Sequence, residues 1–168
     1  MSLVGLGAIS CENALTVGID LTLQNDSSSF TAFYEIFPSG EAFNFSDISF
    51  AAGDIVTVNI TAATATNATS GTAFIINQST GQTASKHIHT GSMCGADVEW
   101  TVQGLFENGT TTLAPIVDFG TVDFTDVSAE TLSGPVGVSD AAIFDMEPGH
   151  TVISSVTVSS SSVGIDFL

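Results

Sequence analysis

The sequence predicts an all-β protein, an antiparallel β-sandwich of two curved sheets, as a single domain over 1–168. Three observations carry that reading. Apolar residues recur at every second position through most of the chain. Gly-, Asn-, Asp- and Ser-rich turns interrupt these runs at short intervals. No segment holds a capped 3.6-residue period. Many short strands with little helix fit packed antiparallel sheets.

The strands follow in order. Over 15–23, Leu15, Val17, Ile19, Leu21 and Leu23 alternate with Thr16, Gly18, Asp20 and Thr22. A second run spans 31–37. Over 54–62, Val56, Val58, Ile60 and Ala62 face one way, and Thr57, Asn59 and Thr61 the other. Runs at 71–77 and 83–90 come next. Over 97–104, Val98, Trp100 and Val102 oppose Asp97, Glu99, Thr101 and Gln103. The last strands read at 116–124, 149–158 and 163–168. Ser139–Phe144 is the best helical candidate and is short. Ser159–Ser162 is low in complexity but too short for a linker, which leaves one domain.

Composition bounds the function. Hydrophobic residues make up 43 % of 168 residues, with 12 Phe, so the chain can build a core despite a net charge of −17. Lys86 is the single basic side chain. One cation cannot release counterions from a polyanion, so nucleic acid is excluded as a partner and an anionic membrane surface is disfavoured. No apolar run is long enough for a spanning helix. The 18 carboxylates repel one another at neutral pH with almost nothing to pair against. The fold should therefore be more stable in mild acid.

Six Asn-x-Ser/Thr triplets begin at Asn25, Asn44, Asn59, Asn67, Asn77 and Asn108. They favour a secreted, glycosylated protein. Met1–Gly5 has neither a charged n-region nor an apolar h-region, so no signal peptide is expected in this chain. Cys11 and Cys94 are the only thiols. In a secreted chain they would form one bridge, worth roughly 4–5 kcal/mol on the chain-entropy model; two buried free thiols are the other reading.

Other constellations say less. His87 and His89 share a strand face and could clamp a metal, but no third ligand stands nearby, so a solvated face is expected and no metal. There is no calcium loop, nucleophile elbow or phosphate loop. Phe33, Tyr34, Phe37, Phe45 and Trp100 could line a peptide cleft, although aromatics on such strands more often fill a core.

Several segments resemble the eqolisin family, the glutamic peptidases of fungi. They are Val4-Gly5 with Cys11 and Leu15–Asp20; Ala32–Pro38; Gly53-Asp54; Ser70–Ala73 with Asn77–Gln82; Gly91–Cys94 leading through Glu99-Trp100 to Gln103; and Pro115 with Val122–Asp126. They follow the family's order at matching spacing over 4–130. The resemblance implies a two-sheet sandwich, secreted and acid-active, that cuts polypeptides with a Gln/Glu pair and no cofactor. In that family the Glu activates a water and then protonates the leaving amine, while the Gln holds the water and stabilises the oxyanion. It also implies that the family's first strands, with an early tryptophan, are missing here.

The departures fall on the catalytic pair. The family's Gln position is Thr16, its Glu position is Gln103, and the following Asp is Gly104. Gln103 cannot accept a proton as a general base must. Asp20, Tyr34, Glu35 and Glu99 are the remaining expected cleft residues, with Glu35 the best substitute base. Three readings follow: a weakened endopeptidase, a non-catalytic module holding peptide or cell-wall polysaccharide in the inherited cleft, or a truncated chain with exposed sheet edges. A monomer is expected.

Overall fold

A computed structural model describes residues 1–25, 27–105 and 113–168. The described residues form thirteen strands and one short 3-10 turn, and they divide into two compact units, Met1–Glu99 and Trp100–Leu168. Every strand pairing with an established register is antiparallel.

The first unit contains two sheets. One runs β4 (Glu41–Asn44), β3 (Ser27–Phe37), β2 (Ala14–Gln24), β1 (Ser2–Leu6), and continues into the opening residues of β8 (Val98–Val102). The other runs β5 (Val56–Ala62), β6 (Ala68–Asn77), β7 (Gln82–Met93). Leu15 and Val17 of β2 pack on Ala73 of β6 and on Ile88 and Met93 of β7. Fully burying such a side chain contributes about 1.5–3 kcal/mol. These are the odd-numbered β2 residues that the alternation places on one face. Cys11 and Cys94 are bonded, with Cα atoms 5.8 Å apart, and tie the segment after β1 to the end of β7.

The second unit holds β9 (Thr121–Thr125), the hairpin β10 (Ala129–Thr131) with β11 (Gly134–Val136), and β12 (Ser154–Val158) with β13 (Ser162–Phe167). Its three-stranded sheet runs β12-β13-β9. Val102, Val127, Val138, Val163 and Ile165 form its core, and Trp100 packs against them. The serine run is the β12–β13 turn, closed by Ser159 N donating to Ser162 O at 2.9 Å.

The structure corrects several boundaries. Ser139–Phe144 is not helical; its Ile143 and Phe144 are 52 % and 72 % exposed, so no apolar face holds a helix down. The strand expected from 149 starts at Ser154, after a 3-10 turn at Pro148–His150. The run expected over 116–124 narrows to β9. Strands β1, β4, β10 and β11 were not anticipated. All four are short, and β4 is exposed at every residue, so it carries no amphipathic signal.

Asn77 overturns one glycan expectation. It is fully buried at the end of β6. Its Nδ2 donates to Ser49 O at 2.9 Å and Asp54 Oδ2 at 2.7 Å, while its Oδ1 accepts from Ser79 N and Thr80 N. A sugar on that nitrogen would replace one of its two donated hydrogens and would find no room at a fully buried side chain. The side chain instead pins the β6–β7 turn to the segment before β5. Asn77→Ala should cost about 2–4 kcal/mol, because the four part-buried hydrogen bonds of a fully buried side chain are lost together. Urea unfolding read by circular dichroism checks this, and a loss below about 0.5 kcal/mol would show the network to be dispensable.

Candidate active site

The site is built on the face of β2 that does not meet the core. Pairing sets Gly5 opposite Thr16 and Thr16 opposite Glu35, so these three form one row across β1, β2 and β3. The next row is Leu3, Gly18 and Phe33. Asp20 lies two residues further along the Thr16 face. Glu99 joins from β8, since a methyl built on Gly5 would lie 2.5 Å from Glu99 Oε1. The glutamate side chain thus occupies the space a larger residue at position 5 would need, the usual reason for a glycine inside a strand. Glu99, Thr16 and Glu35 therefore lie along one line on one face. Gly18 is constrained as well, because a Cβ there would strike Ser2 O and the Leu3 backbone.

This face is not open to water at its centre. Leu3, Thr16 and Phe33 are 2 %, 2 % and 3 % exposed. Among the described residues, Thr16 Oγ and Asp20 Oδ1 are buried and have no hydrogen-bond partner. Burial pushes the Glu35 carboxyl above its ordinary value, and the negative charge of Asp20 adds to the rise. Burial also raises Glu99, helped by Asp97. Asp97 is held in place by Ile9 N and Ser10 N, which donate to its carboxylate at 3.1 and 2.9 Å. The Cys11 loop thus fixes the charge that acts on Glu99.

Of the expected site residues, the structure brings Thr16, Asp20, Glu35 and Glu99 to one face of the first unit. It takes Tyr34 away. Tyr34 alternates with Glu35, points to the opposite side, packs on the Leu15–Val17 core and stacks on Phe43 at 5.2 Å between ring centroids. It is no part of a cleft shared with Glu35, a correction the period-2 rule itself requires. Gln103 is half-buried just past the end of β8, in the second unit. Gly5 was legible only as part of a family motif. Its role as the seat of Glu99 needed the register.

The remaining candidates lie elsewhere. Asn25, Asn44, Asn59 and Asn67 are exposed, and Asn108 lies outside the described residues. His87 and His89 are exposed on β7 with rings edge to face at 5.3 Å. No group of three or more His, Cys, Asp or Glu that could hold a metal occurs among the described residues. No helix of the described residues is long and apolar enough to cross a membrane.

Chemically, the face offers two raised carboxyl groups, Asp20, and a hydroxyl that can donate or accept a hydrogen bond but exchanges no proton near working pH. The chain matches the Peptidase A4 family over residues 1–167. It belongs to that family. Aspergillopepsin-2 of Aspergillus niger is 35 % identical over 172 residues, covering 98 % of this chain and 58 % of the relative. The crystal structure of aspergilloglutamic peptidase from Aspergillus niger superposes with a TM-score of 0.89 at 33 % identity, covering 99 % of this chain and 97 % of that one. Scytalido-glutamic peptidase, solved with a transition state analog inhibitor, gives a TM-score of 0.81 at 26 % identity, covering 99 % and 82 %. The chain spans 58 % and 64 % of the length of the two curated relatives it matches. The eqolisin resemblance and the antiparallel all-β fold read from the sequence are thereby established.

A pH dependence follows from the two glutamates. Their folded pKa lies above the ordinary 4.5, so the folded chain binds protons more tightly than the unfolded one. Below that value both states are protonated and neither glutamate penalises folding. As pH rises past it, the unfolded chain gives up its protons first and the folded state loses stability. Asp54 has the opposite sign. The Ala51 N–H, then the Asn77 amide, hold it below 3.8, and its contribution is lost as pH falls through the folded value. The melting temperature should fall from about pH 4.5 to neutrality, and Glu99→Gln should flatten that fall. Thermal melts at a series of pH values check it; a melting temperature that climbs across the range would contradict the assignment.

Proposed function

We propose that this chain is a secreted, acid-adapted member of the glutamic endopeptidase family in which the hydrolytic pair has been replaced. It holds polypeptide in the inherited site and cleaves it slowly or not at all. One observation carries the reading. The position that the sequence resemblance aligns with the family's Gln is Thr16, a buried hydroxyl in a row with two glutamates whose carboxyls are raised by burial. At the slot of the family's Glu stands Gln103, an amide with no basic site.

The magnitudes favour binding over turnover. Losing a general base typically costs about 10²–10⁴-fold, and losing an oxyanion donor about 10²–10³-fold. The two losses need not add, yet either alone removes most of a typical rate. The peptide-based transition state analog held by scytalido-glutamic peptidase supports a peptide-like ligand for the shared fold. The sequons and the acidic composition support an extracellular setting. A weak peptidase is the second reading, favoured by the raised carboxyl of Glu35 in the same row as Thr16.

Purified protein is incubated at about pH 3, near where family chemistry with carboxyl groups operates, with a denatured protein substrate. The unaltered chain should cleave at least about 10²-fold more slowly than the double variant Thr16→Gln, Gln103→Glu. Fast cleavage by the unaltered chain would overturn the reading. Slow cleavage that disappears in Glu35→Gln would favour the second one.

A further inference from the structure

The outer face of the β5-β6-β7 sheet carries a feature the inherited site does not use. Along that face, Thr57 and Asn59 of β5 stand opposite Ile76 and Phe74 of β6. Ser85 of β7 stands on the far side of Phe74. Phe74 and Ile76 are half-buried and point away from the core, into a field of hydroxyl side chains. Asn59 is exposed beside them, and its Oδ1 accepts from the Thr61 hydroxyl at 3.0 Å. The hydroxyl that the acceptor triplet requires thus lies on the acceptor's own side chain.

We propose that Asn59 is an occupied N-glycosylation site and that its first sugar lies on the Phe74 ring, shielding the Phe74–Ile76 strip. Directly opposite residues in an antiparallel pair have Cβ atoms only about 4.5–5.5 Å apart. A hexose joined to Asn59 Nδ2 therefore begins within reach of the ring. Its C–H face covers aromatic carbon that would otherwise meet water, and its hydroxyls keep solvent and reach the surrounding Thr and Ser side chains. The donor is a lipid diphosphate-linked oligosaccharide. A bond forms between Asn59 Nδ2 and the anomeric carbon, the bond from that carbon to the diphosphate oxygen breaks, the diphosphate leaves with the electron pair, and the amide loses one proton.

The other described triplets lack this arrangement. Asn77 is buried. Asn44 stands opposite Phe33, which is 3 % exposed and offers no ring to cover. Asn25 and Asn67 sit outside the strands at positive φ, 49° and 52°, with no register partner. The assignment rests on the secretory reading above, so its test separates the two.

The chain is expressed through the secretory pathway of a eukaryotic host. It is then deglycosylated in heavy-oxygen water, which marks each formerly occupied Asn by mass. Asn59 should carry the mark and Asn77 should not. No mark at any Asn would overturn both the secretory reading and this site. Marks on other triplets with Asn59 bare would overturn the site alone. The seat of the sugar is read by a double-variant cycle on glycosylated protein. Asn59→Gln should lower the melting temperature by about 2–4 °C when Phe74 is present. In a Phe74→Ser background the same change should have almost no effect. An equal drop in both backgrounds would show that the sugar does not rest on the ring.

Discussion

Strand β2 is apolar on one face and polar on the other, and both faces are covered along its first half. Leu15 and Val17 enter the core between two sheets, while Thr16 and Gly18, on the other face, are also closed off from water. A strand in that position forces chemistry onto a poorly hydrated surface. A carboxyl placed there is displaced toward its neutral form unless a cation answers it. The single basic side chain, Lys86, lies on β7 of the other sheet, and the α-amino group of Met1, which lies near Asp20, is itself pushed toward its neutral form by burial. Burial, with Asp20 and Asp97 adding to it, consequently raises the carboxyls of Glu35 and Glu99.

That constraint also bears on the proposed replacement of the hydrolytic pair. In a dry row, a residue that can take up and return a proton has a large effect on a reaction, and one that cannot has almost none. A hydroxyl keeps the packing of Thr16 without supplying an exchangeable charge, and its oxygen lies buried without a partner at a cost of about 1–3 kcal/mol. Gly5 and Glu99 show the same scaffold still maintained, since the glycine preserves the space that the glutamate occupies.

Much of this was legible in the amino-acid order, because period-2 alternation fixes faces as well as strands. It separated Leu15, Val17 and Ile19 from Thr16, Gly18 and Asp20, and it placed Asn59 outward. The same rule should have moved Tyr34 off the Glu35 face; the apparent cleft role came from adjacency in a motif, which a strand does not respect. Glu99 beside Gly5 was not legible, because it depends on which strands are neighbours, a long-range choice that alternation cannot encode. Asn77 misled for a related reason: a triplet records residue types, whereas the buried network with Asp54, Ser49 and the turn amides appears only when separate segments meet. Short strands such as β4, exposed throughout, left no pattern to read.

The central claim is that the proton-exchanging groups flanking Thr16 are half-buried acids raised by desolvation and by an acidic neighbour. Carbon-detected NMR of the labelled side-chain carboxyls, followed through a pH titration, tests it most directly. Glu35 and Glu99 should titrate with midpoints above the ordinary 4.5, each returning toward it when its acidic neighbour is removed by Asp20→Asn or Asp97→Asn respectively. Midpoints at or below 4.5 for both would mean that the row is wet or paired with a cation, and the account of a disarmed, acid-adapted face would be wrong.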